Sequence, residues 1–251
     1  MKGAFTPAWA DSLRSNIEML FVEAQAVEGG SLPRGPARFY VEVHPERING
    51  FVDIVTHPWF VAVSRAVLGP DYRIIELGFD IPFPGAADQP WHRDFAAPEA
   101  TTIGRRLDSI AFNVATIDTR PEHGPFEIAH GTQWDDLRDC AGGMFPPRDK
   151  WARYIERAVA KFPQRGDMSA RSALTIHRGT ANRSSEARPV LIVGVVAADA
   201  SEAVRHDMQI SAEYHSRLSA LVRDHLAARV VASLEPIVQR HVIEGLLAPA
   251  P

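Results

Sequence analysis

Apolar positions recur at three- and four-residue steps near the N-terminus: Trp9, Leu13, Ile17, Leu20, Ala24 and Val27. That spacing predicts an amphipathic helix with one buried stripe. Thr6 precedes it as an N-cap, Pro7 fills the first helical position, and Gly29-Gly30 stops it. Ser31 to Arg38 is rich in Pro, Gly and Arg and reads as a loop. Phe39 to Val43 fits a short strand and Ile48 to Val55 a second helix. A third helix begins at Pro58 and ends at Gly69-Pro70.

From Tyr72 onward the period changes. Tyr72 to Phe79 is β-rich, and Pro82, Pro84 and Gly85 break it. Strands are expected at Ser109–Ile117, Pro125–Ala129, Ala173–His177 and Pro189–Ala197, with turns at Asp118–Gly124 and Gly166-Asp167. Trp151 to Ala160 reads as helix, and so does the whole stretch from Ser211 to about Leu247. Strands do not alternate regularly with helices, which argues against a Rossmann sheet. Neither Gly-x-Gly-x-x-Gly nor a Walker A pattern occurs. The expectation is a mainly β fold, a sandwich or jelly roll with a helical jacket. We read one domain over residues 1–251: a helical part to about 70, a β core to about 198, and a helical C-terminal extension.

Composition narrows the function classes. A net charge of −4, with Arg interspersed among Asp and Glu, argues against a nucleic-acid binder, which clusters its cations. The single cysteine, Cys140, excludes an internal disulfide and a thiolate zinc site. The N-terminus lacks the basic and apolar regions of a signal peptide, and the longest apolar run, Val190 to Ala198, is too short to span a bilayer. A cytoplasmic protein with a small-molecule substrate and no membrane partner is the expectation; oligomeric state is not readable.

The chemistry concentrates in Gln89-Pro90-Trp91-His92-Arg93-Asp94-Phe95. On a strand, His92 and Asp94 would project from one face and Arg93 from the other, as a structural ion-pair residue. Most of the ten histidines have plain roles. His206, His215, His225 and His241 read as surface or packing residues, His44 and His57 as caps, His123 as a turn residue. His177 is different: a polar residue at the end of an apolar run that needs a partner. Eleven residues on, Arg188 stands at the mouth of the next apolar strand, where a buried guanidinium calls for an anion. Two His and one carboxylate form the facial triad of non-heme Fe(II) oxygenases. A 2-oxo acid would chelate the iron, and Arg188 is the candidate cation for its far carboxylate.

His92-Arg93-Asp94, then Gly124-Pro125-Phe126-Glu127-Ile128, then His177 with Asn182-Arg183-Ser184 and Arg188, resemble the phytanoyl-CoA dioxygenase family. The resemblance spans about Tyr72 to Ala197. It implies a double-stranded β-helix (a cupin-like jelly roll), Fe(II), 2-oxoglutarate and O2. It implies His92, Asp94 and His177 as iron ligands and Arg188 as the anchor of the co-substrate's C5 carboxylate, with Arg183 a secondary candidate. There are departures. His130-Gly131-Thr132-Gln133 replaces the family's Pro-Gly-Ser-His, so His130 is a loop residue of open role. Gly179 stands where the family often has a co-substrate-holding Ser, and Thr180 is the candidate to compensate. Asn113 and Gln89 either face the co-substrate or lie on outer faces. Trp91 and Phe95 either shape a substrate cavity or pack in the core. The loops Ser31–Arg38 and Asp139–Lys150 are lid candidates or plain connections.

Because Asp94 fills the position that related halogenases leave for halide, the expected reaction is hydroxylation or another oxidation of a small organic molecule, in secondary metabolism, coupled to conversion of 2-oxoglutarate to succinate. The alternatives are a non-catalytic jelly-roll ligand-binding or sensory protein, and a zinc-dependent hydrolase using the same triad.

Overall fold

Thr6 caps the first helix as expected: its side chain accepts from Trp9 N, and Pro7 opens α1 (Pro7–Gln25). The computed structural model describes residues 1–200 and 206–238. After α1 come β1 (Leu32–Pro33), β2 (Arg38–Glu42), α2 (Phe51–Thr56), α3 (Pro58–Leu68), β3 (Arg73–Pro82), α4 (Glu99–Gly104) and β4 (Ser109–Ala115). Next are β5 (Phe126–Ala129), α5 (Trp151–Ile155), β6 (Ala158–Lys161), β7 (Met168–Ser172), β8 (His177–Gly179) and β9 (Val190–Val196). Last are β10 (Gln209–Ser211), α6 (Ala212–Arg217), α7 (Ala220–His225) and β11 (Arg229–Val231).

A large antiparallel sheet runs in the order β1-β2-β3-β9-β4-β7 and a small one in the order β6-β5-β8. The two enclose a cavity in jelly-roll fashion. Strand alternation sorts the large sheet's side chains into two sets. Val41, Leu77, Phe79, Phe112, Val114, Leu191 and Val193 face outward into one apolar cluster with Leu13, Ile17 and Leu20 of α1, Ile54 of α2 and Phe60 of α3. The Phe60 and Phe112 rings lie 4.2 Å apart. On the other face, Arg38, Asp80, Asn113 and Arg171 line the cavity.

Several elements differ from the sequence expectation. The helix at Trp151 ends at Ile155, and Ala158–Lys161 is a strand, because it completes the β5 ladder opposite Phe126–Ala129. Ala173–Ile176 is a turn rather than a strand: Thr175 N bonds Ser172 O, and Leu174 N bonds the Ser172 hydroxyl. Leu174 and Ile176 are apolar because they are buried, not because they are extended. The C-terminal region is not helical throughout. Ser211 caps α6 and Ser219 caps α7, and β10 and β11 pair in parallel around them. The rest of that region, His241 included, lies outside the described residues. Among the described residues no helix is long and apolar enough to cross a membrane.

Candidate metal centre

The segment carrying His92 and Asp94 is not a regular strand. Pro90 has no N–H to donate, and the ladder shrinks to one bridge, His92 with His177. Within it His92 N donates to His177 O at 3.0 Å and His177 N to His92 O at 2.8 Å. Asp94 N bonds Ala173 O at 3.1 Å. These bonds tie together the two segments that carry the candidate ligands. One ligand atom from each of His92, Asp94 and His177 lies within 4.8 Å of the others.

Both rings are fixed in one tautomer by a carbonyl two residues upstream. His92 Nδ1 donates to Pro90 O and His177 Nδ1 to Thr175 O, each at 2.8 Å. The proton therefore sits on Nδ1 and the Nε2 lone pair is free to ligate. Burial holds both imidazoles below their ordinary pKa, in His92 well below, with His177 and Arg171 the respective next causes. The neutral, ligating form is thus favoured. Burial pushes the Asp94 carboxyl upward, but Arg171 and His177 outweigh it and hold the group well below the usual carboxylate range. Arg171 donates to both carboxylate oxygens, at 2.7 and 3.3 Å, while His177 Nε2 stands 3.2 Å from Asp94 Oδ1. Two neutral imidazoles and a charged carboxylate, at one cavity wall, fit a divalent iron. Phe126 packs 4.9 Å from the His177 ring and Phe145 stacks 5.9 Å from His92.

The cavity has a volume of about 330 Å³. Arg188 lines it, 5% exposed, with Nε donating to His123 O at 3.2 Å. Burial, and then the nearby Arg38, push its pKa down to about 10, so it remains a cation at neutral pH. Asn113 and Gln89 also line the cavity. Gln89 Oε1 accepts from Gly179 N at 2.9 Å and from Arg38 at 3.1 Å.

Other predicted residues stand elsewhere. The Thr180 hydroxyl donates to Pro125 O at 2.7 Å, and the residue does not line the cavity. Trp91 is fully buried in a second apolar cluster with Leu137, Tyr154 and Ile176. Phe95 borders a small side chamber instead of the main cavity. His130 is exposed, 3.5 Å from Lys161 Nζ, and Arg183 is exposed. Arg93 does face away from the ligands, but it meets carbonyls rather than a carboxylate, bonding Asp135 O at 2.8 Å and Thr132 O at 3.3 Å. Of the two loops, Ser31–Arg38 contributes Arg34 and Arg38 to the cavity wall, whereas none of 139–150 lines it.

Arg38 and Arg171 were not singled out from the sequence. Arg38 is 1% exposed and pairs with Asp80 at 3.1 Å. Its guanidinium fills the space that a side chain at Gly179 would need; a Cβ there would collide with it. The missing family hydroxyl at 179 thus coincides with a large cation from β2. Arg171 lies opposite Ala111 in the β4–β7 register. The only sequence signal for either is an Arg within an alternating strand, readable once strand pairing is known.

The chain's fold has clear counterparts among solved structures. HygX from Streptomyces hygroscopicus, with nickel and 2-oxoglutarate bound, superposes with a TM-score of 0.61 at 16% identity, over 92% of this chain and 90% of that one. Its complex with nickel, 2-oxoglutarate and hygromycin B gives 0.59 at 13% identity, covering 84% and 85%. EctD from S. alaskensis, with 2-oxoglutarate and 5-hydroxyectoine, gives 0.59 at 16% identity, covering 77% and 69%. Residues 1–190 match the family described as phytanoyl-CoA dioxygenase (PhyH). That match takes in three quarters of the sequence, both histidines, Asp94 and Arg188, and the chain belongs to the phytanoyl-CoA dioxygenase family.

Proposed function

We propose that this protein is an Fe(II)/2-oxoglutarate-dependent dioxygenase that hydroxylates a small organic molecule, in secondary metabolism, while 2-oxoglutarate is converted to succinate and CO2. The observation that carries the reading is one cavity holding two Nε2-presenting imidazoles, a charged carboxylate and a buried, cationic Arg188. His92, Asp94 and His177 would hold the iron. When bound, iron with 2-oxoglutarate and O2 supplies the oxidising power for breaking a substrate C–H bond. The chain supplies placement. The carbonyls of Pro90 and Thr175 keep both ring protons on Nδ1, and Arg171 fixes the Asp94 carboxylate in its charged form.

Arg188 and Arg38 are the cations for the far carboxylate of 2-oxoglutarate. A fork of N–H donors on a buried guanidinium suits a carboxylate, whose charge would offset the mutual repulsion of the two arginines. Asn113, from the large sheet, and Gln89, bonded to β8 of the small one, contribute polar contacts to the co-substrate. Phe126 and Ile128 from the small sheet and Val190 and Ile192 from the large one give the cavity an apolar lining that keeps water from the reacting groups. Asp94 favours hydroxylation over halogenation, because it occupies the ligand position a halide would need. HygX and EctD, the similar folds, carry 2-oxoglutarate, and HygX also carries a small molecule, hygromycin B.

The test is anaerobic titration of Fe(II)-loaded protein with 2-oxoglutarate, followed by O2 and a metabolite panel. The expected result is a visible charge-transfer band on 2-oxoglutarate addition, then O2-dependent succinate with one oxygen atom added to a panel member. Absence of both binding and turnover rejects the proposal.

A further inference from the structure

The main cavity joins a side chamber of about 60 Å³ that reaches behind Asp94. Sheet register explains the chamber. Glu76 lies opposite Gly194, Gly194 opposite Ala111, and Ala111 opposite Arg171, so one inward row has charged ends and two small residues between them. Asp94, Arg34, Arg171 and Ile192 border both spaces and mark the junction.

Charges around the junction do not cancel. In the main cavity Asp80 is paired with Arg38, Asp94 with Arg171, and Asp167 accepts from the backbone of Gly3 and Gln164. Arg188 is assigned to the co-substrate under the reading above. Arg34 remains. Among the described residues it forms no ion pair, and its Nε is buried without a hydrogen-bond partner. Its guanidinium lies 4.0 Å above the Tyr40 ring, which holds it in place. Glu76, the acid of the side chamber, accepts from the Tyr40 hydroxyl at 2.7 Å and feels the charge of Arg34 without forming an ion pair with it. Lys2 and Lys161 also line the cavity and add positive charge to it. A buried donor without a partner is unusual in a folded chain. A cationic cleft with low-dielectric walls concentrates anions.

The short hairpin that carries Arg34 is built to aim it. Arg34 N bonds Arg38 O at 2.8 Å, and the turn between them contains Gly35 at φ 93° and Ala37 at φ 50°. Left-handed Ala37 costs about 1 kcal/mol, a strain of the kind that persists at ligand sites. The turn directs two guanidinium groups, Arg34 and Arg38, into one cavity.

We infer that Arg34 anchors the substrate, and that the substrate is a small molecule bearing a carboxylate beside an otherwise apolar body. The inference rests on the oxygenase reading. A carboxylate on Arg34 would sit at the junction of the two spaces, next to Asp94, with the apolar residues Ile192, Phe126 and Ile128 available to the rest of the molecule. Arg34 is a binding residue here and takes no part in bond breaking.

The full chain is loaded with Ni(II) and 2-oxoglutarate, whose uptake is titrated first. Aliphatic and aromatic monocarboxylic acids, each paired with its primary amide, are then titrated by calorimetry. Acids are expected to bind at least tenfold more tightly than their amides. Arg34→Gln should erase that gap while leaving 2-oxoglutarate affinity within twofold, and Arg34→Lys should restore part of it. Equal affinity of acids and amides overturns the inference. So does an Arg34→Gln variant that weakens 2-oxoglutarate as much as the acids, which would give Arg34 to the co-substrate. A panel with no bound acid on protein that takes up 2-oxoglutarate normally overturns it too. Failure of the first titration brings down the oxygenase reading itself.

Discussion

The two faces of the large sheet obey opposite rules. The outward face is apolar from β2 to β4 and is sealed by α1, α2 and α3. The inward face carries Arg38, Tyr40, Glu76, Asp80, Asn113 and Arg171, spaced by Gly78, Gly194 and Ala111. A Cβ on Gly78 would meet the Tyr40 hydroxyl, and one on Gly194 the Glu76 carboxylate. The outward face is packed by volume, the inward face by pairing charge with space. Burial of apolar surface stabilises the fold, so the outer face should govern stability and the inner face binding.

Removing a metal ligand should give the largest effect. His177→Ala is expected to abolish Fe(II) retention and 2-oxoglutarate turnover while the melting temperature of the metal-free protein changes little; metal analysis and calorimetry read both. Phe112→Ala, on the outer face, should do the reverse. A loss of about 3–5 kcal/mol in denaturant unfolding is expected, with 2-oxoglutarate affinity retained in the folded fraction. An outer-face change that alters affinity more than stability would break the division. Arg188→Ala should weaken 2-oxoglutarate by about 2–4 kcal/mol, roughly 30- to 1,000-fold, and spare iron.

Metal affinity sharpens the picture through pH. Folded-state pKa values of His92 and His177 are depressed, so their neutral form persists as pH falls below that of free imidazole. Between pH 7.5 and 6 the affinity should fall less than about threefold, against more than about tenfold for two ordinary imidazoles. Titration of the metal-free protein with Ni(II) at both pH values checks this. Asn113→Ala should have the smallest effect, about 0.5–1.5 kcal/mol in 2-oxoglutarate binding, or roughly two- to tenfold.

The outer face was the legible one. Its β-rich and continuous apolar runs, and the helical spacing beside them, gave β3, β4, β9, α1 and α3 close to their observed limits, because apolar clustering and spacing are local signals. The candidates His92, Asp94, His177 and Arg188 could be picked out by residue type and order, and all four line one cavity. The strand geometry drawn around them was not legible. Pro90 reduces the His92 segment to a single bridge, and apolar Ala173–Ile176 is a buried turn. Arg38, Arg34 and Arg171 stayed hidden because their role comes from cross-strand register and from a turn, which no linear spacing encodes. The C-terminal helical pattern misled for a similar reason: Ser211 and Ser219 restart the chain, and pairing between distant strands overrides propensity.

Gly179 and Arg38 have a consequence for how this cavity can change over time. They lie in different sheets, yet the guanidinium of one fills the volume that any side chain on the other would need. A hydroxyl at 179 and the present placement of the Arg38 guanidinium therefore compete for one space: a side chain at 179 would displace the guanidinium from Asp80, Gln89 and the Thr180 carbonyl. Gly179→Ser in the present chain should be harmful, and the same change after Arg38→Ala should be tolerated, so the two effects will not add. Either order of steps has its own cost: shortening position 38 first strips Asp80 of its ion pair, and enlarging position 179 first displaces the Arg38 guanidinium.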